Sequence, residues 1–165
     1  MSEAIRYEKD SDNIVVLTMD APGQSANTMN ETYKTSMDEC IDRLEKEENL
    51  AGVVLTSAKK TFFAGGDLNE LVKATPEVAQ EFMDGVTAIK AQLRRLEMIK
   101  APVVAAINGA ALGGGYEICL ACNHRIAIND RKTKIGLPEV TLGLLPGGGG
   151  VVRLTRLLGF EAAAP

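Results

Sequence analysis

Apolar residues recur along the chain with two periods, one typical of short buried strands and the other typical of amphipathic helices. The apolar runs from Ile5 to Tyr7 and from Ile14 to Met19 flank a polar segment, so they predict two strands joined by a turn. After Asn30, apolar residues follow at spacings of three and four, which predicts a helix capped by Asn30 and ending near Asn49. The apolar face of this helix consists of Tyr33, Met37, Cys40, Ile41 and Leu44.

Strand and helix patterns alternate through the middle of the chain. Val53 to Thr56 and Pro102 to Ile107 are short apolar runs that predict buried strands. Between them, Thr75 and Pro76 predict the start of a long helix, because they are a cap residue and a proline at the first helical position. Its predicted inner stripe consists of Val78, Phe82, Val86, Ile89, Leu93 and Leu96.

The last third of the chain continues the alternation. We predict a helix from about 114 to 123, a strand around 125–128, a turn at 136–139 and a helix from about 149 to 158. Helices that alternate with short apolar strands indicate an α/β layer architecture. A length of 165 residues fits one domain with its own core, so we assign 1–165 to a single α/β domain.

Composition and charge exclude several classes of protein. A net charge of −4 and the absence of tryptophan argue against a nucleic-acid surface, which usually needs a basic face. No apolar run approaches the roughly 20 residues that cross a bilayer, so we predict no membrane span. Residues 1–6 lack the apolar core of a signal peptide, and we therefore expect a cytoplasmic protein.

The three cysteines favour a buried helix over a metal site. Their odd number suits a reducing compartment better than a disulfide framework. Cys119, Cys122 and His124 could be taken for a redox or metal motif. However, Ile118, Cys119 and Cys122 share an apolar face at spacings of three and four, so we interpret them as core residues and predict no metal.

Eleven of the 16 glycines lie between Gly109 and Gly159, which concentrates the candidate chemistry there and at Gly65–Gly66. A phosphate-binding loop is not indicated, because Gly115 and Tyr116 stand where its lysine and hydroxyl residue belong. The run 147–150 also departs from a dinucleotide fingerprint, although a phosphate at the N-terminus of the following helix remains an alternative.

Two glycine clusters and two carboxylates suggest an acid/base site instead. The clusters around Gly66 and Gly114 each follow a predicted buried strand and precede a helix, so each places free backbone N–H groups at a strand's carboxyl edge. Glu117 closes the second cluster and Glu139 closes the segment 136–139. These residues could form an oxyanion site with proton-transfer groups. The alternative is that the glycines only make tight turns and that Glu117 complements a helix dipole.

Three segments in order, 63–68, 107–117 and 136–147, resemble the crotonase (enoyl-CoA hydratase/isomerase) superfamily over nearly the whole chain. Residues 131–139 are most similar to the N-terminal hydratase domain of multifunctional fatty-acid oxidation α subunits. The resemblance implies a crotonase-like ββα spiral. It also implies hydration of a trans-2-enoyl-CoA, with the coenzyme A thioester as substrate and no cofactor bound by this domain.

The resemblance also assigns roles to particular residues. Glu117 and Glu139 would be the catalytic acids that bracket a water molecule, and the N–H groups of Gly66 and Gly114 would form the oxyanion hole. Gly66 replaces an alanine common in the family, a harmless change if only the backbone is used. The implied substrate-binding positions are Ala64, Gly65, Asp67, Leu68 and Gly147, with the Asp67 side chain interpreted as a helix cap.

The chain is shorter than the domains it resembles, and we expect that it lacks the C-terminal helices that cover the acyl pocket and build a trimer interface. A homo-oligomer or a multienzyme complex is expected for the full-length protein, and any NAD-binding dehydrogenase domain lies outside this sequence. Two alternative functions remain: a Δ3,Δ2-enoyl-CoA isomerase and a non-catalytic acyl-CoA binding module.

Overall fold

A computed structural model describes residues 4–164, except for the side chain of Asn69. A five-stranded sheet has the order β1-β2-β3-β4-β6, in which β1 and β2 form an antiparallel hairpin and the remaining neighbours are parallel. Its strands are β1 (Ile5–Lys9), β2 (Ile14–Met19), β3 (Gly52–Ser57), β4 (Val103–Ile107) and β6 (His124–Ala127). The predicted hairpin and the predicted buried strands are confirmed, and the α/β class with them.

Helices alternate with these strands. The α-helices are α1 (Glu31–Lys46), α2 (Leu68–Leu71), α3 (Ala79–Glu97), α4 (Gly114–Leu120), α5 (Gly150–Leu158) and α6 (Phe160–Ala163). Two 3₁₀ turns cover Pro76–Val78 and Pro138–Leu142. No helix among residues 4–164 is long and apolar enough to cross a lipid bilayer.

Helix α1 packs its predicted apolar face into the core. Every residue of that face is buried, and the core also takes in the inward-facing residues of β2, β3 and β4. The Asn30 side chain accepts a hydrogen bond from the Tyr33 N–H at 2.9 Å, so the predicted cap is confirmed. The helix ends at Lys46, three residues before the predicted end at Asn49.

Only the C-terminal half of the predicted apolar stripe of α3 is buried. Leu93 and Leu96 are buried, whereas Val78 and Phe82 are exposed. The C-terminal half of α3 packs against α1, but the N-terminal half extends beyond it. Thr75 is the N-cap residue and Pro76 begins the first turn, as predicted, but the Thr75 side chain makes no capping hydrogen bond.

A second, two-stranded sheet lies beside the carboxyl edge of the main sheet. It pairs β5 (Ala111–Leu112) with β7 (Ile135–Gly136) in parallel. An isolated bridge joins Phe63 to Ala111, and another joins Met29 to Gly66. Four segments that are far apart in sequence therefore meet where strands β3 and β4 end.

The cysteines lie in the core, as predicted. The Cys119 thiol donates to the Gly115 carbonyl oxygen at 3.2 Å, and the Cys122 thiol donates to the Ile118 carbonyl oxygen at 3.4 Å. Burial raises the pKa of Cys122 to about 12 and the pKa of Cys119 well above its ordinary range. Both thiols are therefore protonated and inert near neutral pH.

Candidate active site

The two glycine clusters meet in space. The Leu112 N–H donates to the Phe63 carbonyl oxygen at 3.1 Å, which aligns the two segments. A Cβ atom placed on Gly114 would lie 3.9 Å from the amide nitrogen of Gly66, so these two backbones lie side by side. Within residues 4–164, neither the Gly66 N–H nor the Gly114 N–H has a hydrogen-bond acceptor. Two neighbouring N–H groups without an acceptor among these residues are what an oxyanion hole requires.

Buried Asn27 holds the segment that leads to Gly66, a role that sequence reasoning missed. Its side-chain amide donates to the Ser57 hydroxyl at 2.8 Å and to the Phe62 carbonyl oxygen at 3.2 Å. Its backbone carbonyl accepts from the Ala64 N–H at 2.8 Å. A single asparagine in a polar segment carries no pattern in the sequence that would reveal this role.

Glu117 is a buried carboxylate in the first turn of α4. The residue is 4% exposed, and its Oε1 atom accepts a hydrogen bond from the Gly150 N–H at 2.7 Å. This N–H belongs to the N-terminus of α5, so the carboxylate complements the dipole of a different helix from its own. The alternative of a phosphate at that N-terminus is not favoured, because Glu117 already occupies it.

Gly148 and Gly150 pack directly on the Glu117 carboxyl group. A Cβ atom on Gly148 would lie 2.6 Å from Oε2, and one on Gly150 would lie 2.9 Å from Oε1. Any side chain at either position would displace the carboxyl group. Gly148 and Gly150 therefore let the loop contact the Glu117 carboxyl group closely, which explains these two glycines without a nucleotide.

Glu139 lies in the 3₁₀ turn Pro138–Leu142 and is half-buried. Its Oε2 atom is buried without a hydrogen-bond partner in the described part of the chain. Burial raises the pKa of Glu139, and the nearby negative charge of Glu117 raises it further. A hydrogen bond from its own backbone opposes the shift without cancelling it. Glu139 thus keeps its proton to a higher pH than an ordinary glutamate does.

Glu139 also lies against the second glycine cluster. A Cβ atom on Gly113 would come 2.7 Å from Glu139 Oε1, and Gly113 has a φ of 53°, which side-chain-bearing residues rarely adopt. Gly113 therefore allows the carboxyl group of Glu139 to approach the loop that carries the free Gly114 N–H. The structure brings all four predicted central residues, Gly66, Gly114, Glu117 and Glu139, into one region.

The remaining predicted site residues surround this centre. Gly65 is buried with a φ of 105°, whereas Ala64 and Leu68 are exposed. The backbone carbonyl oxygen of Asp67 accepts from the N–H groups of Glu70 and Leu71 and so begins α2, while capping by its side chain stays a prediction.

Gly147 lies beside α3. A Cβ atom placed on it would be 3.7 Å from the Val86 side chain. Its role as a donor to a bound water stays a prediction.

Comparisons with known proteins agree with this architecture. Residues 9–165 match the sequence profile of the enoyl-CoA hydratase/isomerase family. The chain is 41% identical over 160 residues to a fatty acid oxidation complex subunit alpha of Idiomarina loihiensis, which covers 96% of this chain. That match spans only 22% of the length of the relative.

Solved structures give the same result for the fold. An enoyl-CoA hydratase from Bacillus anthracis superposes with a TM-score of 0.85 at 33% identity, covering 97% of this chain and 60% of that one. A hydratase from Geobacillus kaustophilus gives a TM-score of 0.88 at 29% identity, covering 99% of this chain and 60% of that one. The chain has a crotonase fold and belongs to the enoyl-CoA hydratase/isomerase family.

Proposed function

We propose that this chain carries the site that adds water across the double bond of a trans-2-enoyl-CoA. The proposal depends on one observation, the meeting of two free backbone N–H groups with two carboxyl groups of unlike environment. Glu117 accepts a hydrogen bond from a helix N-terminus, which stabilises its charge, while Glu139 is desolvated. Such a pair separates the roles of base and acid.

The proton transfers follow from these environments. Glu117 takes a proton from a water molecule, and the water oxygen forms a bond with C3 of the substrate. The electron pair of the C2–C3 double bond moves toward the thioester carbonyl and gives an enolate. Protonated Glu139 then delivers its proton to C2, and the enolate returns to a thioester. Proton exchange with solvent resets both carboxyl groups.

The adjacent N–H groups of Gly66 and Gly114 would hold the thioester oxygen while it gains negative charge. A donor aimed at a developing oxyanion lowers the barrier by roughly 3 kcal/mol. Because both donors are backbone groups on short segments fixed by neighbouring strands, they need little reorganisation during the reaction. This favours acyl-CoA chemistry that passes through an enolate.

The wider setting is also proposed. No cofactor is needed for hydration, so we expect the coenzyme A thioester to be the only small molecule bound. The curated relatives are named as subunits of a fatty acid oxidation complex, which supports a place in fatty-acid β-oxidation within a multienzyme assembly. The trimer implied by the resemblance stays a proposal.

The test is a spectrophotometric assay of crotonyl-CoA hydration with the protein expressed from its intact gene. Glu117→Gln and Glu139→Gln should each lower kcat by roughly 100- to 10,000-fold, as expected for loss of a general acid or base. Glu8→Gln, an exposed change on β1, should leave the rate unchanged. Full activity of either site variant would reject the proposal.

Two other outcomes would redirect the assignment. Faster conversion of a 3-enoyl-CoA than of crotonyl-CoA would support the isomerase alternative. Acyl-CoA binding by calorimetry without turnover of either substrate would support a binding module.

A further inference from the structure

Arg153 connects the glycine loop around Glu117 to the rest of the protein. One guanidinium nitrogen donates to the Gly148 carbonyl oxygen at 2.8 Å, and Nε donates to Glu97 Oε1 at 2.6 Å. The same guanidinium lies so close to Gly149 that a Cβ atom there would be 2.6 Å from it. Arg153 therefore covers the outer side of the loop whose inner side contacts Glu117.

Glu97 anchors this arginine from the end of α3. Its second oxygen accepts from Arg94 at 3.1 Å, so both carboxylate oxygens are bound. Burial alone would raise the pKa of Glu97, but the hydrogen bonds from Arg153 and Arg94 lower it overall. The Arg153 and Glu97 side chains are mostly shielded from solvent, which makes their ion pair stronger than a typical surface pair.

The loop needs such an anchor because it consists of four consecutive glycines. Glycine has more conformational freedom than any other residue, so this run has little intrinsic preference for one backbone path. Gly150 must nevertheless present its N–H to Glu117 at hydrogen-bond distance. Arg153 contacts the loop on the side away from Glu117 and connects it to α3 through Glu97.

We propose that Arg153 and Glu97 are positioning residues, a clamp that fixes the glycine loop so that the Gly150 N–H holds the Glu117 carboxylate. This inference rests on the proposed function, because it assigns Glu117 as the base. A displacement of about 1 Å at a reacting group can lower a rate roughly 100-fold, so the clamp acts on turnover although it does not touch the substrate.

Arg153→Met tests the clamp in the protein expressed from its intact gene. We expect kcat for crotonyl-CoA to fall roughly 10- to 100-fold, with KM changed less than about threefold, because the oxyanion donors are untouched. A fall in kcat with little change in KM separates a clamp that positions a reacting group from a loss of substrate binding.

Arg95→Met is the matched control. Arg95 is the arginine next to Arg94 on α3 and pairs with Asp42 and Glu45 of α1, away from the loop. Its loss removes an ion pair of the same helix but should leave kcat unchanged. Arg153→Lys keeps the charge opposite Glu97 without the planar fork that also reaches Gly148, so we expect an intermediate loss of kcat.

A readout that does not depend on activity is the hydrogen exchange of the Gly150 amide. Its exchange should accelerate by at least about tenfold in Arg153→Met and stay unchanged in Arg95→Met. Normal exchange together with a normal kcat in Arg153→Met would overturn the clamp.

The two proposals fail separately. An inactive Glu117→Gln with a fully active Arg153→Met would reject the clamp and leave the hydratase assignment in place. An active Glu117→Gln would reject the assignment, while amide exchange would still decide the clamp. If Arg153→Met does not fold, Arg153→Lys decides the question by the same measurements.

Discussion

Different interactions dominate in two regions of the molecule, residues 4–57 and residues 109–159. Between residues 4 and 57, no large hydrophobic side chain is exposed, and the strands and α1 bury a continuous apolar core. In the glycine-rich region many apolar side chains are exposed, among them Val140, Leu145 and Leu157. Helix α4 of this region still packs into the core through Ile118 and Cys119, whereas polar contacts hold the loops around it, in particular the hydrogen bond from Gly150 to Glu117.

This difference suggests that the first region mainly stabilises the fold and the second mainly positions the reactive groups. Burial of apolar surface is non-directional and strong, so the first region supplies a rigid platform. Hydrogen bonds are directional, and glycines let backbone and side chain approach closely. The second region can therefore fix the positions of two carboxyl groups and of the Gly150 N–H. We therefore expect substitutions in the first region to change the free energy of unfolding and those in the second to change turnover.

The largest stability effect is expected for Leu55→Ala in β3. Leu55 is 0% exposed, and truncating a buried leucine usually lowers the free energy of unfolding by about 2–5 kcal/mol. Leu157→Ala in α5 is the counterpart, because Leu157 is 50% exposed and its truncation should cost no more than about 0.5 kcal/mol. Urea denaturation of both variants measures the difference. Equal losses would contradict the contrast between the two regions.

A smaller loss of stability is expected for Gly115→Ala in the second region, because the added methyl group would clash with a neighbouring segment. The new Cβ would lie 2.6 Å from Phe63 Cβ and 2.7 Å from the Phe63 carbonyl oxygen, and overpacking of this kind costs about 1–3 kcal/mol. Gly85→Ala in α3 meets no atom within 4 Å and should raise the free energy of unfolding by about 1 kcal/mol. Opposite signs in thermal unfolding would support both interpretations.

Helix capping in the first region is expected to contribute about 1 kcal/mol. Asn30→Ala removes the hydrogen bond to the Tyr33 N–H and should destabilise the protein by that amount. Thr75→Ala changes an N-cap residue that makes no capping hydrogen bond, so its effect on the urea midpoint should be clearly smaller. A larger effect at Thr75 would show that the helix start at Pro76 is capped in solution.

The last prediction is that Glu139 and Glu97 change the pH dependence of stability in opposite directions. Because the pKa of Glu139 is raised in the folded protein, ionising Glu139 costs stability as pH rises through the window between its ordinary and raised values. Glu139→Gln should therefore be more stable than the wild type above that window and equal to it below. The melting temperature measured from pH 4 to 8 would reveal this trend.

Glu97→Gln provides the opposite case. The pKa of Glu97 is lowered in the folded protein, so its carboxylate contributes stability above its ordinary pKa, and that contribution is lost as pH falls. The variant should be less stable than the wild type at neutral pH, and the difference should shrink in acid. Parallel pH trends for the two variants would contradict the different environments of the two glutamates.

Local patterns predicted much of the fold. The apolar runs of β2 and β3 and the spacing of Tyr33, Met37 and Leu44 lead directly to the observed elements, because burial imposes those periods. The stripe of α3 predicted burial at Phe82, which is exposed. Periodicity shows which face of a helix is apolar, but it does not show whether another element covers that face.

The candidate site was predictable only in part. Glycine clusters next to Glu117 and Glu139 were visible in the sequence, and the structure brings them together with Gly66 and Gly114. The contact of Gly150 with Glu117, and the links from Asn27 to Phe62 and from Arg153 to Glu97, were not visible. These contacts join segments separated by tens of residues and leave no period or spacing in the chain.

By itself, then, the sequence determined the elements of the sheet and of α1, the burial of the cysteines and the positions of the two carboxyl groups along the chain. Only the tertiary structure decided that Glu117 meets the N-terminus of α5 while Glu139 keeps a buried oxygen that has no partner among residues 4–164. The physical reason is that local structure follows from neighbouring residues, whereas the charge state of a carboxyl group depends on whichever distant backbone and solvent surround it.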